Sequence, residues 1–147
     1  MNVRVASVDE VPRLAEHYAA WGYGGGIAPT DVALVAEEEG GAPVGIVRQT
    51  VEHEVVMLRG MYVAPDARGR RIGSALLRAF VDRLEREPRL RGEPCYGIPF
   101  AHLERFYAQG GFAFVPVAAA PAFLRERVRR YTTEGHRVAV MRRDPPG

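Results

Sequence analysis

The sequence predicts an α/β domain with a largely antiparallel sheet flanked by helices. Three observations carry this. Leu58 to Phe80 passes from a strand rich in Met, Tyr and Val, through a turn of Pro, Gly and Arg, into an amphipathic helix. Asp31 to Glu39 and Pro43 to Thr50 read as strands joined through Gly40-Gly41, a hairpin signal. Short strand patterns and helical patterns then alternate to the end of the chain. With 147 residues and 47% hydrophobic content, residues 1–147 suit one domain with a sizeable core.

The elements follow in order. Val3 to Ala6 reads as a first strand. Ser7 and Glu10 have capping-box spacing ahead of a helix that buries Val11, Leu14, Ala15 and Tyr18 and stops by Gly22. Trp21 to Gly26 is too glycine-rich for regular structure; it is either a segment covering a substrate or an ordinary loop with its Trp in the core. In the hairpin, Val44, Ile46 and Thr50 fall on one face. A turn at Glu52-His53-Glu54 leads to a strand from Val55 to Ala64. The helix after it carries Ile72, Leu76, Leu77, Phe80, Val81 and Leu84 on one side. An Arg-rich connector around Pro88 to Gly92 reaches a short strand, Pro94 to Ile98. A helix from Ala101 to Gln109 carries Leu103, Phe106 and Tyr107, breaks at Gly110-Gly111 and precedes the strand Phe112 to Val115. Pro121 starts a last helix bearing Phe123, Leu124, Val128 and Tyr131; Gly135 ends it, and Arg137 to Arg142 alternates as a final strand. Residues 144–147 read as a frayed tail.

Composition removes several function classes. Cys95 is the only cysteine, which excludes an intramolecular disulfide or a Cys-rich metal site, fits a reducing cytoplasm, and reads as a small buried strand residue. No metal site is expected. The N-terminal residues lack a signal-peptide layout and no apolar run reaches spanning length, so no membrane partner is expected. All basic residues are Arg, yet the net charge is only +2. With neither a long block of like charge nor an aromatic-interleaved basic ribbon, nucleic acid is disfavoured as a partner.

The turn between the strand Val55 to Ala64 and the helix after it has its own chemistry. The first turn of a helix carries unpaired N–H groups and roughly half a positive charge. Gly69 and Gly73 permit close approach to the backbone, and Arg68, Arg70 and Arg71 add three permanent cations. An anion such as phosphate is one guest for this turn; a solvated basic helix start is the other reading.

Val63-x-Pro65-x-x-Arg68-Gly69-x-x-Ile72-Gly73-x-x-Leu76-Leu77 resembles the cofactor motif of the GNAT superfamily of acetyl-CoA-dependent N-acetyltransferases, usually written R/Q-x-x-G-x-G/A. Arg68 and Gly73 match its ends. Arg71 stands where the first glycine is usual, which requires residue 71 to take an ordinary helical φ and point away from the phosphates. Phe106-Tyr107-x-x-x-Gly111-Phe112 resembles a second GNAT signature, though Phe100 and Leu103 replace the Asn and Ala often found upstream. The resemblance implies a mixed sheet whose central parallel strands splay apart. It also implies an acetyl-CoA site, with Met61, Tyr62 and Val63 pairing the pantetheine arm. The pyrophosphate would lie on Arg68, Gly69, Arg70, Arg71, Ile72, Gly73 and Ser74.

The implied reaction is direct attack of a primary amine, of a small molecule or a peptide, on the thioester. It needs a base for the amine and an acid for the thiolate. Tyr107 resembles the family's acid, although a Phe-Tyr pair on a helix serves packing equally well. Glu37, Glu38, Glu52, His53 and Glu54 lie on or near strands that border the family's acceptor site, and none is singled out as base. A homodimer is compatible with this reading, and a non-catalytic acyl-CoA-binding protein is the alternative.

Overall fold

The computed structural model describes residues 1–146; Gly147, the end of the expected tail, lies outside the described residues. The elements are β1 (Asn2–Val5), α1 (Val11–Trp21), β2 (Val32–Glu37), β3 (Pro43–Glu52), β4 (Val55–Val63), α2 (Ile72–Arg86), β5 (Cys95–Gly97), α3 (Glu104–Ala108), β6 (Ala113–Val115), α4 (Ala122–Thr133) and β7 (Val140–Arg143). Short 3₁₀ turns precede each of the four α-helices. The strands form one mixed sheet in the order β1-β2-β3-β4-β5-β7-β6. β1–β2, β2–β3, β5–β7 and β6–β7 pair antiparallel, and β4–β5 is parallel over Val56↔Cys95 and Met57↔Tyr96. No described helix is long and apolar enough to cross a membrane.

Two compact units make up the chain. The first holds Met1–Thr50 with Leu58–Arg86; the second holds Val51–Met57 and the chain from Glu87 onward. In the first, the Ser7/Glu10 capping box forms ahead of α1, with the Ser7 N–H donating to the Glu10 carboxylate at 2.7 Å. Gly22 ends α1 at a φ of 96°, the left-handed C-terminal stop that glycine adopts without a Cβ penalty. Leu14 and Tyr18 of α1 pack on Ala33, Val35 and Ile46, so α1 covers one face of β2 and β3. Helix α2 covers the other. It buries Ile72, Leu76, Leu77, Phe80 and Leu84, while Val81 is only half-buried. A Cβ on Gly45 would come within 2.9 Å of Leu76 Cδ1 and 3.1 Å of Ile72 Cγ2, which shows how closely the start of α2 lies on β3.

With a helix on each side, residues 44–50 of β3 are all buried, where the sequence marks only one apolar face. Side-chain alternation then assigns Ile46 and Arg48 to the α1 face, and Gly45 and Gln49 to the α2 face. Arg83 of α2 donates to Gln49 Oε1 at 3.0 Å.

In the second unit, Leu124 and Val128 of α4 pack with Met57, Ala120 and Val140. Residues 53 and 54, at φ 50° and 65°, make the tight turn between β3 and β4. The helix expected from Ala101 is a 3₁₀ turn followed by a five-residue α3, and only Tyr107 is fully buried on it. The final strand starts at Val140 rather than Arg137. The preceding residues bond the segment before α3 instead: Ala101 N–H to Arg137 O at 2.9 Å and Ala139 N–H to Pro99 O at 3.0 Å.

Candidate active site

The first unit contains the predicted phosphate turn. Ala67 N–H bonds Ala64 O at 2.9 Å to close the 3₁₀ turn Pro65–Ala67, Arg68 is extended, and Gly69 turns left-handed at φ 83°. Arg71 also turns left-handed, at φ 61°. This corrects the expected helical φ: residue 71 keeps the backbone shape that glycine favours and bears an arginine on it. The first helical bond from outside α2 is Ala75 N–H to Arg71 O at 3.1 Å. The amides of Ile72, Gly73 and Ser74 therefore stand ahead of the α2 ladder, directed out of the helix end. Ile72 is buried, Gly73 and Ser74 are half-buried, and Arg68 to Arg71 are exposed.

Two of the three cations diverge. Arg68 folds back on β4, its Nε donating to Val63 O at 3.3 Å and its guanidinium lying 5.1 Å from the Tyr62 ring centre. Arg70 pairs with Glu38 at 2.6 Å. Met61, Tyr62 and Val63 are half-buried, and the Tyr62 hydroxyl donates to Trp21 O at 3.1 Å. Trp21, expected in the glycine-rich loop, is instead the last residue of α1; it and Tyr23, in the loop after it, both pack partly buried against the α1 core.

One cluster in this unit is absent from the sequence reading. Gly60 interrupts β4 at φ 65°. Its carbonyl accepts from the Tyr18 hydroxyl at 2.7 Å, and a Cβ there would meet Tyr18 Oη at 2.5 Å and Arg48 Nε at 2.7 Å. The Arg48 side chain, only 4% exposed, donates to Asp31 at 2.7 Å and to the Tyr23 hydroxyl at 3.0 Å. The available signal was an arginine at an alternation position between Ile46 and Thr50, on the face assigned to the core.

In the second unit Tyr107 is 5% exposed, its ring edge-on to Phe106 at 4.9 Å and to Phe112 at 6.2 Å. Gly110 and Phe112 donate their N–H groups to its carbonyl, so the Gly-Gly break closes over the end of α3. Cys95 is buried on β5 and forms no disulfide.

The model of the acetyltransferase (GNAT) domain family matches residues 29–113, more than half of the chain and both motif stretches. The chain belongs to the GNAT superfamily. Acetyl-CoA-dependent acetyl transfer is the general activity that this membership supports. Its fold is similar to Rv2747 from Mycobacterium tuberculosis, solved in complex with CoA and NLQ (TM-score 0.70, 17% identity, covering 99% of this chain and 100% of that one). It is also similar to the ribosomal-protein-S18-alanine N-acetyltransferase of Escherichia coli (TM-score 0.68, 14% identity, 99% and 94%) and to Escherichia coli ElaA (TM-score 0.66, 16%, 98% and 100%). No curated protein sequence matches it.

Within this GNAT chain the five candidate bases divide by partner. Glu37 bonds Arg4 at 2.8 Å, Glu38 bonds Arg70 and Glu52 bonds Arg127 at 2.6 Å. The hydrogen bond from Arg4 holds the Glu37 carboxyl below its ordinary range, which weakens it as a base. His53 and Glu54 are exposed in their turn, with the His53 ring 4.5 Å from that of Phe123. No group of three or more side chains suited to a metal ion occurs among the described residues.

Proposed function

We propose that this protein, as a single acetyltransferase domain, moves an acetyl group from acetyl-CoA to a primary amine by direct attack. The observation that carries the reading is the pair of left-handed residues, Gly69 and Arg71, that deliver three outward amides at the start of α2. Such amides, at the positive end of a 15-residue helix, are the donors a pyrophosphate needs. Arg68, Gly69, Arg70, Arg71, Ile72, Gly73 and Ser74 hold the phosphates in this reading, and Met61 to Val63 offer backbone groups to the pantetheine arm. Tyr107 donates its proton to the departing thiolate. Cys95 is 1% exposed, which favours transfer without an acyl-enzyme. The amine gives its proton to a water and so to solvent in this reading, with three of the five candidate bases, Glu37, Glu38 and Glu52, engaged with arginines. A reducing cytoplasm suits the single cysteine.

Thermal unfolding with and without acetyl-CoA tests this reading. At ~100 times its dissociation constant, a ligand that binds only the folded state adds about 2.7 kcal/mol. Gly73→Glu, which puts bulk and negative charge at the amides, should erase most of the shift. Full stabilisation of a folded Gly73→Glu would remove the pyrophosphate from this turn. An acceptor screen following CoA thiol release, with small amines and peptide N-termini both included, then identifies the amine.

The ion-paired carboxylates favour a second reading, an acyl-CoA-binding protein that transfers nothing. Binding of acetyl-CoA without thiol release across the whole amine panel would establish it.

A further inference from the structure

The buried Arg48 cluster is not used in the proposed reaction. Burying a guanidinium is costly even when it is paired, and here Nε has no hydrogen-bond partner among the described residues. An apolar residue at this position would carry no such cost. The guanidinium's other contacts show what it offers instead. Asp31 and Tyr23 grip it from the loop between α1 and β2. Its carbon lies 5.8 Å and 6.0 Å from the ring centres of Tyr18 and Tyr23. Its Nε edge abuts Gly60 on β4.

Gly60 sits at a particular place on that strand. An arm that begins at Arg68–Ser74 and pairs back along Val63, Tyr62 and Met61 arrives next at Gly60 with its acyl end. Extended strand residues have φ near −120° to −140°; Gly60, at 65°, redirects the peptide groups on either side. Nothing in glycine itself keeps it there, since glycine populates both signs of φ. The Tyr18 hydroxyl holds its carbonyl and the Arg48 edge fills the space behind its Cα. Burial pushes the Tyr18 phenol well above its ordinary range, so this donor stays protonated at any working pH.

We propose that Arg48 and Tyr18 are positioning residues for acetyl transfer, clamping the Gly60 kink so that the backbone at the acyl end keeps one direction. This rests on the acetyl-CoA site proposed above. The loop from Gly22 to Asp31 belongs to the same device, because Tyr23 and Asp31 fix the plane of the guanidinium that abuts Gly60.

The test uses Tyr18→Phe, which keeps the ring, and Arg48→Lys, which keeps the charge and loses the planar fork. Three quantities are measured on each: CoA affinity, the ratio of acetyl-CoA to CoA affinity, and the single-turnover rate at saturating acetyl-CoA. CoA affinity should stay within about twofold, because the pyrophosphate turn lies elsewhere on the chain. The preference for acetyl-CoA should narrow, and the rate per folded molecule should fall about 10–100-fold, the scale of a small misplacement at the reacting centre. A fall in KM-independent turnover separates this from a merely structural role, which would lower melting temperature and leave the rate per folded molecule unchanged. Wild-type rate and wild-type acetyl-CoA preference in a folded Tyr18→Phe would overturn the clamp, whatever becomes of Arg48→Lys. If the wild type transfers nothing but binds acetyl-CoA, the affinity ratio still decides. Absence of all CoA binding by the wild type overturns the site itself and the clamp with it.

Discussion

At position 71 an arginine holds a φ of 61°, a conformation that costs a residue with a Cβ about 1–2 kcal/mol. Glycine there would relieve that strain but add about 0.4–1 kcal/mol of unfolded-state entropy. Strain is the larger of the two, so Arg71→Gly should stabilise the fold by about 0.5–1 kcal/mol in a urea titration while retaining acetyl-CoA binding. Loss of binding would show that the Arg71 side chain is itself a phosphate ligand. Tyr107 poses a different question, since its buried ring packs on Phe106 and Phe112 and its proposed role needs only the hydroxyl. Tyr107→Phe keeps the ring. If the hydroxyl is the acid, single-turnover acetyl transfer should drop about 10²–10⁴-fold with melting temperature little changed. A hydroxyl that serves only as a buried hydrogen-bonding group would give the reverse, a loss of ~1–3 kcal/mol with turnover intact.

The contact between α2 and β3 is where packing bears on the turn proposed to hold the phosphates. A methyl group on Gly45 would press on Ile72 and Leu76, residues of the first and second turns of α2, and force one of them to shift. Gly45→Ala should therefore cost about 1–3 kcal/mol by overpacking. It should also shrink the thermal shift given by acetyl-CoA, because the helix end must move; an unchanged shift would mean that the turn holds its shape independently of β3. Helix α2 itself was legible in the sequence, since a 3.6-residue period over Ile72 to Leu84 has one physical solution. The Gly40-Gly41 hairpin and the strand–turn–helix order were legible for the same local reasons. Arg48 was not, because its burial depends on Asp31, Tyr18 and Gly60, none of them within one turn or strand step of it. The left-handed φ at residue 71 was hidden too: that conformation usually announces itself by glycine, and here the chain carries arginine. The shortened last strand depended on bonds between 137–139 and 99–101, which residue pattern alone does not encode.

Across the molecule, Arg4 of β1 joins the turn before α1 and strand β2, bonding both Glu10 and Glu37. The hydrogen bond from Arg4, helped by the Ser7 amide, lowers the Glu10 carboxyl to about 2, and Arg4 lowers Glu37 as well. Folded values below the unfolded one mean that this stability is full above the ordinary carboxylate range of about 4.3. It is lost as pH falls toward 2. Arg4→Ala should consequently lie below wild type in urea midpoint at pH 7, with the gap closing between pH 4.5 and 2. The difference should be modest at any pH because these groups face solvent. A gap that stays constant down to pH 2 would assign the effect to lost packing of the Arg4 stem. The chain's lack of lysine has a chemical consequence at the proposed phosphate turn. An acetyl donor held beside lysines would meet nucleophilic amines on its own host, and each modification would erase a cation that binds the next donor. The 20 basic residues of this chain are all guanidinium groups, which stay protonated and are poor acyl acceptors. In the proposed site Arg68, Arg70 and Arg71 would therefore keep their charge through any number of turnovers, leaving the turn inert toward its own reagent.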